Sequence, residues 1–315
     1  MDNKIRTLTN SMRNKFASCH RAFKFCYEDL VRPVKASDAL SFGTAMHAML
    51  ERYWSGLDAV EPQTGDAYTD ETLKALFDGY CAKWRDEDNA RFDFVAAEVG
   101  FEAPLMNPET GALSRTWQLG GKIDAIANEK VTGKCWIVEH KTTGQDIGPG
   151  SDYWRKIPID GQVSGYYVGA QAAGYPATCC LYDVIRKPTI KPYKATPADK
   201  LKYNKDGTLS KLCRLADELP EEWGKRLRAD IAERPDFYFA RMEVSRSEDD
   251  LAEYLFDMWA VGREIADAER FGRFSRNPQA CSVYGTCEYF DVCTGCASLD
   301  DVTLFRKAET ANEEL

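Results

Sequence analysis

Residues 117–141 limit most strongly how this chain can fold. Two apolar runs, Trp117-Gln118-Leu119 through Ile123-Asp124-Ala125-Ile126 and Trp136-Ile137-Val138-Glu139, flank Val131-Thr132-Gly133-Lys134. A glycine-containing turn between such runs predicts a hairpin of adjacent antiparallel strands. Side chains alternate faces along a strand. Ile137, Glu139 and Lys141 therefore share one face, and Trp136, Val138 and His140 the other. Asp124, on the preceding strand, can stand across from Glu139 and Lys141.

The rest of the chain supplies partners for that hairpin. Segment 37–57 reads as a helix, with Leu40, Met46, Met49, Leu50, Tyr53, Trp54 and Leu57 at three- and four-residue steps and Ser37 as its N-cap. A second helix is predicted around 71–90, and Phe94-Val95 opens the sheet. A helix over 160–173, a strand at 178–186, a helix near 219–234, a strand at 236–244 and a helix at 247–270 follow. This order predicts an α/β fold with a mixed central sheet flanked by helices. The expected organisation is one domain over 1–315. It has a helical N-terminal part (1–93), a core (94–245), a helix and Cys-rich part (246–297) and an acidic tail (298–315).

Two carboxylates and an ammonium converging on one small volume suit phosphodiester hydrolysis. Asp124 and Glu139 offer hard oxygen ligands to Mg²⁺ or Mn²⁺. Lys141 can orient or help deprotonate a water and offset charge in the transition state. The same spacing also suits a cross-strand ladder of surface charges. Two further segments bear on the choice. Gly43-Thr44-Ala45-Met46-His47 places His47 beside an apolar helical stripe, a pattern that alone suits a structural histidine. Gln162-Val163-Ser164-Gly165-Tyr166 puts Gln162 and Tyr166 four apart, on one helical face.

In order, Gly43-Thr44-Ala45-Met46-His47, Gly121-Lys122-Ile123-Asp124, Val138-Glu139-His140-Lys141 and Gln162-to-Tyr166 make the chain resemble the RecB/AddB-like branch of the PD-(D/E)XK nuclease superfamily. That branch includes stand-alone phage and bacterial exonucleases and iron–sulfur CRISPR adaptation nucleases. The resemblance runs from about Cys19 to Cys293 and implies a restriction-endonuclease-like core. It implies that His47, Asp124 and Glu139 are metal ligands, with the backbone carbonyl of His140 as a further one. Lys141 becomes the catalytic lysine, and Gln162 and Tyr166 active-site residues that position the strand or that lysine. The family's proline-aspartate wording is absent, since Lys122-Ile123 precedes Asp124.

Eleven cysteines are many for such a chain, and Cys281, Cys287, Cys293 and Cys296 crowd together. Iron–sulfur members of the family take one cysteine from the N-terminal region and three from the C-terminal region. The resemblance thus implies a [4Fe–4S] cluster on Cys19, Cys281, Cys287 and Cys293. The first C-terminal gap departs from the usual two residues, and the second matches. The alternatives are a Zn²⁺ site on Cys281, Cys287, Cys293 and Cys296 and unliganded thiols. Cys26, Cys81, Cys135, Cys179, Cys180 and Cys213 read as small buried hydrophobes.

A net charge of -9 argues against a non-specific DNA coat, but charge is uneven. Residues 1–35 hold eight Lys/Arg against three Asp/Glu, and 186–214 hold nine against two. Local field governs phosphate contact. Lys187, Lys191 and Lys194, interleaved with Tyr193 and Tyr203, suit single-stranded DNA or DNA with free ends; a solvated loop is the alternative. No apolar run approaches the roughly 20 residues that span a bilayer, and the first residues lack a secretory h-region. A cytoplasmic protein without membrane contact is expected. No Walker motif occurs, so a helicase or recombinase partner would be a separate chain. The rival readings are a non-catalytic DNA-binding or assembly module of the same fold and a nuclease acting on RNA.

Overall fold

Apolar runs that alternate between period two and period 3.6 build a sheet and the helices that cover it. The structure is a computed structural model that describes residues 5–35, 38–283, 285–313 and 315, the side chains of 38 and 39 excepted. In chain order the main elements are β1 (Arg6–Leu8), α1 (Asn10–Ser18), β2 (Val31–Pro33), α2 (Asp38–Trp54), α3 (Ala67–Arg91), β3 (Phe92–Met106) and β4 (Leu113–Glu129). Then come β5 (Cys135–Thr143), α4 (Gly161–Ala172), β6 (Ala177–Arg186), α5 (Pro220–Glu233), β7 (Phe239–Val244), α6 (Glu248–Phe271) and β8 (Phe305–Lys307).

The predicted hairpin lies at the centre of a mixed sheet. β4 runs antiparallel to β3 on one edge and to β5 on the other; β5 and β6 are parallel, and β6 and β7 antiparallel. β1 lies parallel to β4, on residues 117–119. The chain turns between β4 and β5 through Gly133 at φ 69°, a conformation glycine adopts without strain.

Helices cover both faces. On one, α4 lays Val163, Tyr166, Tyr167 and Ala170 over Ile137, Cys180, Tyr182 and Val184. On the other, α2, α3 and α5 bring Met46, Leu50, Leu73, Tyr80, Trp223 and Leu227 together with Ile185 and Phe239. A third core joins the two ends of the chain: Leu8, Met12 and Phe16 pack with Met258, Ile265, Tyr289 and Phe305. Local capping sets the helix starts. Asp160 accepts from Gln162 N at 2.8 Å ahead of α4, and Ser247 with Asp250 forms a capping box on α6. No helix of the described residues is long and apolar enough to cross a membrane.

Several expectations are adjusted. The strand predicted at 236–244 begins only at Phe239, because Pro235 opens a helical turn over Pro235–Tyr238. β1, β2 and β8, three residues each, were not foreseen. β8 pairs with β2, so the acidic C-terminal segment is laid back on the N-terminal part. The N-cap assigned to Ser37 lies outside the described residues. Of the six cysteines read as buried, Cys26, Cys135 and Cys180 are, whereas Cys81, Cys179 and Cys213 are partly exposed.

Candidate active site

A break in backbone pairing makes the site. β4 pairs with β1 up to Leu119 and with β5 from Ala125 onward, which leaves a gap along residues 120–124. The ladder stops where Asp124 would face Glu139. Asp124 Oδ2 instead accepts from the backbone N–H of His140 at 2.8 Å. A carboxylate thus replaces a strand carbonyl, and its other oxygen turns toward α2, where His47 Nδ1 lies 3.5 Å away.

Glu139 and Lys141 project from the same face of β5, as alternation requires. Glu139 is buried, and neither carboxylate oxygen completes a hydrogen bond of proper geometry. The Lys141 ammonium is in contact with Glu139 Oε1. Lys141 Nζ also donates to Gln162 Oε1 at 2.9 Å, and Gln162 Nε2 donates to Tyr166 Oη at 2.6 Å. The α4 pair therefore reaches the catalytic lysine candidate through a continuous hydrogen-bond chain.

Electrostatics separate the two carboxylates. Burial alone would raise Asp124, yet His47, then His140 and Lys141, hold it well below the usual carboxylate range. Burial and then the Asp124 charge push Glu139 up, against the pull of Lys141 and His47. Burial would lower Lys141, but Glu139 and Asp124 outweigh it and the ammonium is strengthened. His47 is likewise raised, since Asp124 outweighs its desolvation.

The donor set fits a hard divalent cation: two buried carboxylates, one short of hydrogen bonds, and an imidazole. As they stand, no three His, Cys, Asp or Glu side chains among the described residues gather closely enough to hold an ion. The Lys141 ammonium is the cation in contact with Glu139 in this arrangement. A divalent ion beside Asp124 and Glu139 would pull both carboxylates toward the ionised form.

Behind β5 lies a buried polar cluster that sequence reasoning missed. His140 points its ring away from Glu139, with Nδ1 3.5 Å from Asp183 Oδ2. Asp183 on β6 also accepts from Tyr80 Oη at 2.5 Å and Arg241 at 3.1 Å, and Arg241 donates to Asp88 at 2.6 Å. An ionisable residue inside the apolar run Leu181-Tyr182-Asp183-Val184-Ile185 was the available signal.

Cys19, Cys281, Cys287 and Cys293 all line one cavity of about 330 Å³, whose wall does not include Cys296. Cys296 is exposed. The basic stretch is less free than its composition suggests. Lys187 lies half-buried with Nζ 4.4 Å above the Phe42 ring, and Lys194 pairs with Asp217 at 2.9 Å. Tyr193, itself exposed, has Arg214 and Arg226 against its ring, their guanidinium carbons 4.2 and 3.9 Å from the ring centroid. Lys191 is exposed. Lys187 is the member nearest the site, since its backbone N–H donates to Thr143 O at the end of β5.

Comparison with known proteins gives a family match. A family model described as the PD-(D/E)XK nuclease superfamily matches residues 7–294. A solved structure titled "Crystal structure of SSO0001" is similar at 14% identity and a TM-score of 0.31, covering 84% of this chain and 90% of that chain. No curated protein matches.

Proposed function

The chain belongs to the PD-(D/E)XK nuclease superfamily, and from that membership we propose that it is a divalent-metal-dependent DNA exonuclease of the RecB/AddB-like type. Its work would lie in recombination, repair or end processing. The observation that carries this reading is the convergence of Asp124, Glu139 and Lys141 at the gap between β1 and β5. A surface ladder would leave these charges in water, whereas Glu139 is 1% exposed. Burying a carboxylate short of hydrogen bonds costs stability; the Lys141 ammonium offsets part of that cost, and a bound divalent cation would offset more.

Asp124, Glu139 and His47, with the carbonyl of His140, would hold Mg²⁺ or Mn²⁺. When bound, the metal supplies Lewis-acid stabilisation of charge on the scissile phosphate. Lys141, kept as an ammonium by Glu139 and anchored by Gln162, donates to the attacking water or a phosphate oxygen and balances the developing negative charge. Tyr166 fixes the Gln162 amide, and through it the direction of the ammonium.

End-labelled single- and double-stranded DNA, incubated with Mg²⁺ or Mn²⁺ and with EDTA, tests the reading. Mononucleotides or short products released from ends, and none in EDTA, are expected. Cleavage of circular DNA would replace the exonuclease reading by an endonuclease one. Preferential cutting of RNA would shift the substrate class, and binding without cutting would favour a non-catalytic module.

A [4Fe–4S] cluster on Cys19, Cys281, Cys287 and Cys293 is part of the same proposal. One zinc ion draws four thiolates to about 2.3 Å of a single point, while a cavity of about 330 Å³ with four thiols on its walls suits a larger group. The exposed Cys296, outside that wall, weakens the local zinc alternative. Purified protein is expected to contain iron and absorb in the visible, and Cys19→Ser to lose both. Stoichiometric zinc without iron would reverse the assignment.

We assign the substrate's backbone in part to the basic stretch. Replacing Lys187, Lys191 and Lys194 together by Ala should weaken binding to single-stranded DNA. It should also flatten the dependence of log affinity on log salt, by about 0.7 for each lysine that touches phosphate. Equal affinity across salt concentrations would remove these residues from the interface.

A further inference from the structure

His140 is gripped from both sides of β5. Its backbone N–H donates to Asp124 Oδ2 at 2.8 Å, and its imidazole stands 3.5 Å from Asp183 Oδ2. Asp183 is the register partner of His140 on the parallel strand β6 and is fully buried. The rings of Trp54, Tyr80 and His47 surround the imidazole, with centroids 6.2, 6.3 and 6.4 Å away. Neither ring nitrogen of His140 completes a hydrogen bond, and Asp183 Oδ1 has none. The 3.5 Å approach of Nδ1 to Asp183 Oδ2 is therefore the closest polar contact of the ring among the described residues.

Net stability is a weak account of this arrangement. Asp183, Asp88, Arg241 and Tyr80 form a buried ionic cluster, and well-packed apolar residues of similar volume commonly do as well or better. Location gives the reason. The cluster stands directly behind the peptide unit that joins Glu139 to Lys141 and whose N–H fixes Asp124. Partners of this kind, one step removed from metal ligands, hold ligand orientation, and their loss typically costs roughly 10–100-fold in metal affinity or activity.

We propose that Asp183 is a positioning residue for the active site, orienting His140 and thereby fixing the Glu139–His140–Lys141 segment against Asp124. This rests on the metal-dependent nuclease reading above. Tyr80 and Arg241 in turn hold Asp183, by bonds of 2.5 and 3.1 Å to the oxygen that faces His140.

Asp183→Asn tests the proposal, because an amide oxygen can still accept from Tyr80 and Arg241 while the charge opposite His140 is gone. In the full chain, kcat on a DNA oligonucleotide is expected to fall roughly 10–100-fold with KM unchanged. The Mn²⁺ dissociation constant, measured by calorimetry without substrate and below the variant's lowered melting temperature, should rise by a similar factor. Tyr80→Phe should move kcat and Mn²⁺ affinity in the same direction by a smaller factor. A folded Asp183→Asn variant with wild-type kcat and Mn²⁺ affinity overturns the proposal. Should that variant not fold, Tyr80→Phe decides, and wild-type values there overturn it. If the wild-type chain cuts no DNA, the functional reading fails, while the Mn²⁺ comparison still reads Asp183 directly.

Discussion

Replacing Asp124 or Glu139 by Ala is expected to lower kcat on the order of 10³-fold, and Lys141→Ala by roughly 10²–10³-fold. Each change removes a group aimed at the point where charge develops, so KM should move far less than kcat. The double variant Asp124→Ala/Lys141→Ala should be little worse than either single one, since the groups act as a unit. For Glu139, loss of folding does not explain such an outcome, because burial already pushes its carboxyl up and an uncharged side chain there relieves that cost. Melting curves in EDTA should show Glu139→Gln at or above the wild-type midpoint. Equal activity in all three Ala variants would show that these residues carry no catalysis.

Arg241→Met should be among the most destabilising single substitutions in the chain. The guanidinium pairs with Asp88 at 2.6 Å and Asp183 at 3.1 Å, and it packs 4.2 Å from the Trp84 ring centroid. Methionine keeps the packing but leaves two carboxylates in the core without their cation. Breaking a buried pair in this way costs about 3–5 kcal/mol, seen as a lower urea midpoint with an unchanged slope. Adding Asp88→Asn and Asp183→Asn to Arg241→Met should recover most of the loss, and recovery of none would remove the electrostatic explanation. The same cluster sets an acid limit. Burial alone would raise Asp183, but Arg241, His140 and Tyr80 bring it down to about 2. The unfolded chain takes up that proton near 3.8. Asp183 therefore stabilises the fold above about pH 4 and loses this contribution as pH falls toward 2.

What could be read from the residues follows how local the determining physics is. The hairpin around Gly133 and the helix carrying Gln162 and Tyr166 announce themselves by period and turn chemistry over a dozen residues. Alternation along β5 put Glu139 and Lys141 on one face before any coordinates were needed. β1, β2 and β8 are too short to show a period, and distant partners hold them in place. Asp183 was read only as a member of a strand, because Tyr80, His140 and Arg241 reach it from three separate segments. Composition likewise marked 186–214 as basic without showing that Asp217 and Phe42 take up two of its three candidate lysines.

The meeting of the two chain ends bears on how the protein is made. Val31 O accepts from Tyr289 Oη across 258 positions, and Leu8, Met12 and Phe16 find their core partners on α6 and beyond. During synthesis these apolar residues emerge long before the α6 and later residues that cover them. Contacts of such sequence separation slow folding, and the waiting surface invites aggregation or chaperone binding. Because β1 borders the gap beside Asp124, one wall of the candidate site rests on a core that residues far apart in the chain build together.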